Sequence, residues 1–308
     1  MSGRNAPSRR SAPTSWVSRI RLRPQIWAAL LLLSILGVCG QILWQQHAAT
    51  VARNPEYQLT ANDVHITAPP PWVRSDIKSE VLRDAALIGN LSLLEDWDTL
   101  VGRVRQAFEF HPWVASVTRI TRALPNSLQI ELEYRRPVAA VESSGQGGVA
   151  LLPIDTGAVR LPEADLTDDE RRYLPRIANV AGRPLVGHTW DDPRVVGGAK
   201  LAAALAEVWH SLRLVVIHPS SHPLVQGDAR FYSFEIVTSG GTRIVWGAAP
   251  GEEQSAGEST PAAKRQRLLD YAVATGRLDA IDGPASVDVR RELIVTPRTA
   301  RREAAEKR

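Results

Sequence analysis

Cysteine is almost absent from this 308-residue chain: Cys39 is the only one, and it sits inside an apolar run. No intrachain disulfide can therefore staple the rest, which must be held by hydrophobic burial, and a thiol catalyst or cysteine-ligated metal is excluded there. Acidic residues are missing from the first 44 positions, where arginines collect at Arg4, Arg9, Arg10, Arg19, Arg21 and Arg23. No basic stripe interleaved with aromatics occurs in the middle, and the net charge is only +4, so nucleic acid is not an expected partner. Phosphate-loop spacing is lacking as well. Val196-Gly197-Gly198-Ala199-Lys200 has glycines and a lysine but reads as a turn opening a helix. Ser143-Ser144-Gly145 lacks the flanking glycines of a nucleophile elbow. His210, His218 and His222 lie around Pro219 and Pro223, which argue for a surface loop rather than a converging zinc site. The acids Glu163, Asp165, Asp168, Asp169 and Glu170 form one run, whereas acid–base pairs need opposed placement across a cleft. No catalytic residue, cofactor, metal or small-molecule substrate is expected, and the chain does not read as an enzyme.

What is present begins with residues 26–44, an uncharged run of about 19 residues, enough to cover most of a hydrocarbon core of roughly 30 Å. With the arginines before it, the positive-inside bias predicts a cytoplasmic N-terminus, with Trp27 and Trp44 at the two membrane boundaries. The run is longer than a signal-peptide core, and Val38 before Cys39 is not the small residue a lipoprotein signal needs. The expectation is a single-pass protein of the cytoplasmic (inner) membrane with the bulk of the chain extracytoplasmic. Ser34, Gly37 and Gly40 recur at a spacing that permits close helix contact, although small residues are common in membrane helices.

Beyond the run, hydrophobic content of 44% and charged content of 23% describe a globular chain. Tyr57–Thr67 reads as a strand that stops at Pro69-Pro70-Pro71. Ser75 is the expected N-cap of a helix carrying Ile77, Val81 and Leu82, broken at Gly89-Asn90. Leu94, Trp97, Leu100, Val101, Val104 and Phe108 recur at helical spacing. Trp113–Ile120 then alternates, Leu124-Pro125-Asn126-Ser127 turns, and Leu128, Ile130 and Leu132 alternate with Gln129, Glu131 and Glu133.

This order, and the stretch His111–Val141 in particular, resembles the POTRA module of the FtsQ/DivIB cell-division family. The family shows an aromatic-valine strand, a basic hairpin with a Pro-Asn tip, an apolar-alternating strand and then Glu-Arg-x-Pro-apolar-Ala, here Tyr134-Arg135-Arg136-Pro137-Val138-Ala139, with Tyr134 where the family usually has an acid and Glu133 adjacent. The second half is similar too. Val149–Val159 reads as a hairpin around Asp155-Thr156-Gly157, and Leu174-Pro175-Arg176-Ile177 as a short strand. Gly197–Leu212 reads as a helix, Leu214–Ile217 as an apolar strand, and Phe231–Val237 with Arg243–Trp246 as a hairpin. Residues 248–263 read as a mobile loop, Lys264–Gly276 as a helix, and Ser286–Arg290 as a last strand running on to Thr296. Trp190 and Trp246 are the tryptophans to inspect for a glycan platform.

The resulting fold class is α+β. It comprises a single N-terminal transmembrane helix, a POTRA-like β-α-α-β-β module, then a mixed β-rich domain with two or more helices. The expected divisions are a basic cytoplasmic tail (1–25), the membrane helix (26–44), the POTRA-like domain (57–138), the distal β domain (139–296) and a charged tail (297–308). The resemblance implies a bitopic divisome scaffold at the division site that helps control septal cell-wall synthesis. Its partners would be small bitopic FtsB/FtsL-like proteins and the septal cell-wall synthesis machinery. The family's interface falls on the last strand, implying Arg290, Arg291, Glu292, Leu293, Ile294 and Val295, and an edge strand has the unpaired backbone groups such pairing needs. An envelope glycan-binding protein or hydrolase is the alternative, and a POTRA chaperone feeding an outer-membrane barrel a third reading.

Overall fold

A computed structural model describes residues 24–52, 59–88, 91–92, 95–123, 127–145, 148–276, 278–280 and 282–298. The chain divides into two units after Gln58. The expected basic tail, the Gly89-Asn90 break, Leu94 and the Leu124-Pro125-Asn126 tip lie outside the described residues, as does the charged tail from 299 onward.

The first unit contains helix α1 (Pro24–Ala52). Its side chains are described from residue 27 to residue 43, where Trp27, Leu33 and Leu36 are exposed, whereas the Trp44 side chain lies outside the described residues. Among the described residues no helix is long and apolar enough to cross a membrane. This corrects the expected fold class, with its transmembrane helix, and the expected single-pass placement in the cytoplasmic membrane. The fold is α+β, with mixed sheets in which strands dominate.

The second unit begins with β1 (Val64–Ile66), α2 (Ile77–Ile88), α3 (Trp97–Glu109), β2 (Val114–Ala123) and β3 (Ser127–Tyr134). Three strands form a sheet in the order β1-β3-β2, with β1 parallel and β2 antiparallel to β3. A parallel pair needs a crossover, which α2 and α3 provide. The stripe Leu100, Val104 and Phe108 buries α3 against Trp113, Val117, Leu128 and Ile130. A side chain the size of Phe108, fully buried, contributes about 1.5–3 kcal/mol. Asp96 caps α3 by accepting the Thr99 N–H. Asp76, not Ser75, caps α2: its carboxylate accepts the Ser79 N–H and hydroxyl. The Ser75 hydroxyl instead donates to Asp165.

The remaining strands are β4 (Ala139–Gly145), β5 (Gly148–Ile154), β6 (Arg176–Ile177), β7 (Leu214–Pro219), β8 (Leu224–Gln226), β9 (Ala229–Phe231), β10 (Ser233–Thr238), β11 (Arg243–Ala248), β12 (Pro284–Asp288) and β13 (Ile294–Pro297). Helices α4 (Asp168–Tyr173), α5 (Pro193–Leu205) and α6 (Pro261–Thr275) interrupt them. Eight strands form one mixed sheet in the order β13-β12-β11-β10-β7-β6-β4-β5, and β8 pairs separately with β9. The partner of β5 is β4, so the hairpin expected at 149–159 shifts toward the N-terminus. The return past Asp155 makes only single bridges.

Gly197 and Gly198 lie inside α5 rather than in a turn before it, because the helix starts at Pro193 behind an Asp192 cap. Both face the sheet at close range. A Cβ on Gly197 would come within 2.5 Å of Phe234, and one on Gly198 within 2.8 Å of Ile177. The helix sits where only hydrogen fits, and Val195, Leu201 and Leu205 complete the larger core with Ile217, Ile236 and Trp246.

The two sheets meet through a buried polar joint. Asp165 accepts from the Trp113 indole N–H and the Ser75 hydroxyl, and Arg74 binds the Asp165 carbonyl and grips Glu170 with two hydrogen bonds. Arg135 donates to the buried Asp155 carboxylate at 2.7 Å, and Leu161 inserts into the core of the smaller sheet.

Candidate functional site at the outer edge of the large sheet

The last strand does not run straight to Thr296. The chain leaves β12 at Asp288, turns over residues 289–293, and folds back as β13, antiparallel to β12, with Val287 opposite Val295 and Asp288 opposite Ile294. This corrects the expectation of one continuous strand. A carboxylate and a guanidinium make the turn. Asp288 accepts the Arg290 N–H at 2.9 Å and the Arg290 side chain at 2.7 Å. Burial pushes the Asp288 carboxyl up, but the Arg290 side chain and backbone bonds outweigh it and hold the group below the usual carboxylate range. Arg290 is raised in return, chiefly by that same bond.

The six residues expected at the interface lie together on this turn and strand. Leu293, Ile294 and Val295 are 41%, 60% and 37% exposed, and residues 290–297 are exposed throughout. Among the described residues β13 pairs with β12 alone, so its outer N–H and C=O groups have no strand beside them. Arg291 donates through Nε to the Gly257 carbonyl at 3.0 Å. Arg298 holds the far end, donating to Gly240 O at 3.1 Å.

A groove of about 570 Å³ opens at the start of β13, lined by Leu224, Val225, Phe231, Arg291, Glu292 and Ile294. Its far wall is the β8–β9 hairpin, with Leu224 and Val225 exposed at the surface. Sequence reading missed this wall. The signal was there: Gly227-Asp228 between Leu224-Val225-Gln226 and Ala229-Arg230-Phe231 is a two-residue hairpin pattern, and Gly227 takes φ +60°.

Behind the groove the segment expected to be a mobile loop is pinned. Glu258 and Lys264 form a buried ion pair at 2.6 Å, and the Ala248 N–H also donates to Glu258 at 3.0 Å. The Lys264 ammonium sits 5.2 Å from the centroid of the Trp246 ring. Ala256 packs with Phe231 and Ala248 in a small apolar cluster beneath.

Other candidates do not assemble. Trp190 and Trp246 are both buried and offer no platform. Among the described residues no group of three or more His, Cys, Asp or Glu side chains is placed to hold a metal. His218 contacts the Asn179 amide at 3.0 Å, and His210 stacks on Tyr173 at 3.7 Å. The acidic run is spent on structure: Thr167 and Glu170 form a capping box for α4, and Asp165 serves the joint. Trp27 is exposed on α1, and Cβ positions on Gly37 and Gly40 would meet nothing within 4 Å. What the outer edge can do chemically is accept an extended segment by backbone pairing, with apolar side chains beside it and arginines at its start. No family model matches the chain, and comparison with curated proteins finds no match.

Proposed function

We propose that this protein is a binding scaffold of the FtsQ/DivIB kind, whose β13 edge takes up a strand of a small FtsB-like division protein associated with an FtsL-like chain. The observation that carries the reading is the position of β13: outermost in an eight-stranded sheet, exposed along its length, with Leu293, Ile294 and Val295 presented beside open backbone groups. Such an edge is a template for pairing, and native proteins normally blunt it. Here Pro297 stops the strand at one end and Arg290 and Arg291 charge the other, leaving a short defined segment between. Main-chain bonds would supply affinity, and the arginines would set register against an acidic partner. Through that partner the scaffold would take part in controlling septal cell-wall synthesis.

The test is a crosslinked pull-down from dividing cells with the full chain and with a Leu293→Asp/Val295→Asp variant. Both positions are exposed, and an unchanged circular dichroism spectrum and melting curve check that the variant keeps its fold. Recovery of small coiled-coil division proteins by the full chain, reduced at least about tenfold by the variant, supports the reading, since central apolar contacts dominate interface energetics. Equal recovery moves the interface elsewhere. Recovery of no division protein by the full chain overturns the scaffold reading.

A further inference from the structure

We infer that Glu258, Lys264 and Arg267 are positioning residues: with the segment 249–260 they form a strap that presets the geometry of the β13 edge. That this edge is a docking edge rests on the reading above; that it is strapped does not.

β12 is anchored on β11, but β13 ends the sheet and among the described residues pairs with β12 alone. Its turn must be held from behind. Three successive turn carbonyls each accept a bond from one side of the molecule. Val289 O accepts from the Arg267 guanidinium at 3.0 Å, Arg290 O from the Ser259 N–H at 2.8 Å, and Arg291 O from the Ser259 hydroxyl at 3.3 Å. Arg267 also donates to the Ser259 hydroxyl at 2.9 Å, tying helix α6 to the strap, and Arg291 bonds back to Gly257 O.

The strap is in turn fixed one residue upstream, at Glu258. Its carboxylate occupies the space that a side chain at residue 247 would take. Gly247 has φ +89°, and a Cβ there would lie 2.3 Å from both Glu258 oxygens. Lys264, fully buried on the first turns of α6, meets the same carboxylate. A buried ion pair is a poor way to add stability, because desolvating two charges offsets much of their attraction, and an apolar pair of like volume commonly serves as well. What it offers is a single allowed position: the carboxylate must sit where Lys264 and the Ala248 N–H converge. That places Ser259 within reach of Arg290 O and Arg291 O, and so sets where β13 begins.

The experiment is amide hydrogen exchange, read by mass spectrometry, on the full chain and on Arg267→Met and Glu258→Gln. It needs no partner, so its failure is separable from failure of the docking reading. Exchange across residues 289–295 should rise roughly five- to tenfold in Arg267→Met, as expected for losing a hydrogen bond or two. Amides of α3, β2 and β3 should keep their wild-type rates. Glu258→Gln should accelerate the same segment and residues 249–260 as well. If Glu258→Gln unfolds the whole chain, Arg267→Met decides alone. Wild-type exchange at 289–295 in Arg267→Met would overturn the inference.

Discussion

The large sheet has two ends, and they are finished in different ways. At one end the C-terminal part of β5 is bordered on its outer side by the chain that follows it, while its first residues are exposed. Leu161 N–H donates to Pro153 O, Asp155 N–H to Val159 O, and α4 lies alongside. The inner half of β5 is buried, with Leu152 and Ile154 fully covered. At the other end β13 is exposed along its whole length and is held by pairing with β12, by its turn and by Arg298 at the far end. One edge is closed over its C-terminal part by returning backbone; the other is kept in shape from behind, with no strand on its outer side among the described residues. Edges left open in this way invite pairing, so the asymmetry marks where a second chain can add.

The sharpest way to break the comparison is Leu152→Ala. It removes a fully buried side chain from the closed end and should cost about 2–5 kcal/mol in urea denaturation. A loss within experimental error would mean that the closed end is not part of the core.

A smaller effect should follow from pH. The Arg74 guanidinium, with the Thr167 N–H, holds the Glu170 carboxyl down to about 2 from an ordinary 4.5. A depressed carboxyl stabilises the fold fully above about pH 4.5, and that contribution fades as pH falls toward 2. Glu170 is half exposed, so solvent screens the pair and the effect is modest. Glu170→Gln should lower the denaturation midpoint at pH 6 and match the wild type near pH 2. A constant difference at both pH values would mean that the ion pair does not tie α4 to the segment before α2.

The smallest effect belongs to the open end. Ile294→Ala should shift stability by no more than about 0.5 kcal/mol, because the side chain is exposed. A loss above about 2 kcal/mol would show that β13 is covered in solution, and the contrast between the two ends would be lost.

Much of the local structure was legible in the sequence. Leu100, Val104 and Phe108 of the α3 stripe, the alternating Leu128, Ile130 and Leu132 of β3, and Leu214 and Ile217 of the apolar β7 are buried as their spacing picks out. These signals are local: a side chain's neighbours at two, three or four residues decide which face is apolar. The membrane reading of residues 26–44 rested on an uncharged apolar run, the arginines before it and Trp27 and Trp44 at its ends, and among the described residues no helix is long and apolar enough to cross a membrane. The turn at 289–293 was missed because Arg290-Arg291-Glu292-Leu293 contains no glycine, proline or asparagine. It is made by Asp288 from within and by Ser259 and Arg267 from more than twenty residues upstream. Residues 248–263 looked loose by composition. What pins them is Glu258 meeting Lys264 beneath a glycine whose missing Cβ leaves the room.

Hydrophobic periodicity and turn residues in this sequence were enough to locate elements such as α3, β3, β7 and the β10–β11 hairpin and to pick out most of their buried residues. They could not determine strand order. Ile294, Val295 and Thr296 offer the sheet the same N–H and C=O as any other residues, so they do not say whether a neighbour lies on one side or two; only Pro297, which lacks an N–H, favours an edge. Only the assembled sheet, with β12 brought parallel to β11 by α6 and the strap drawn across behind it, decided that β13 would be its open edge.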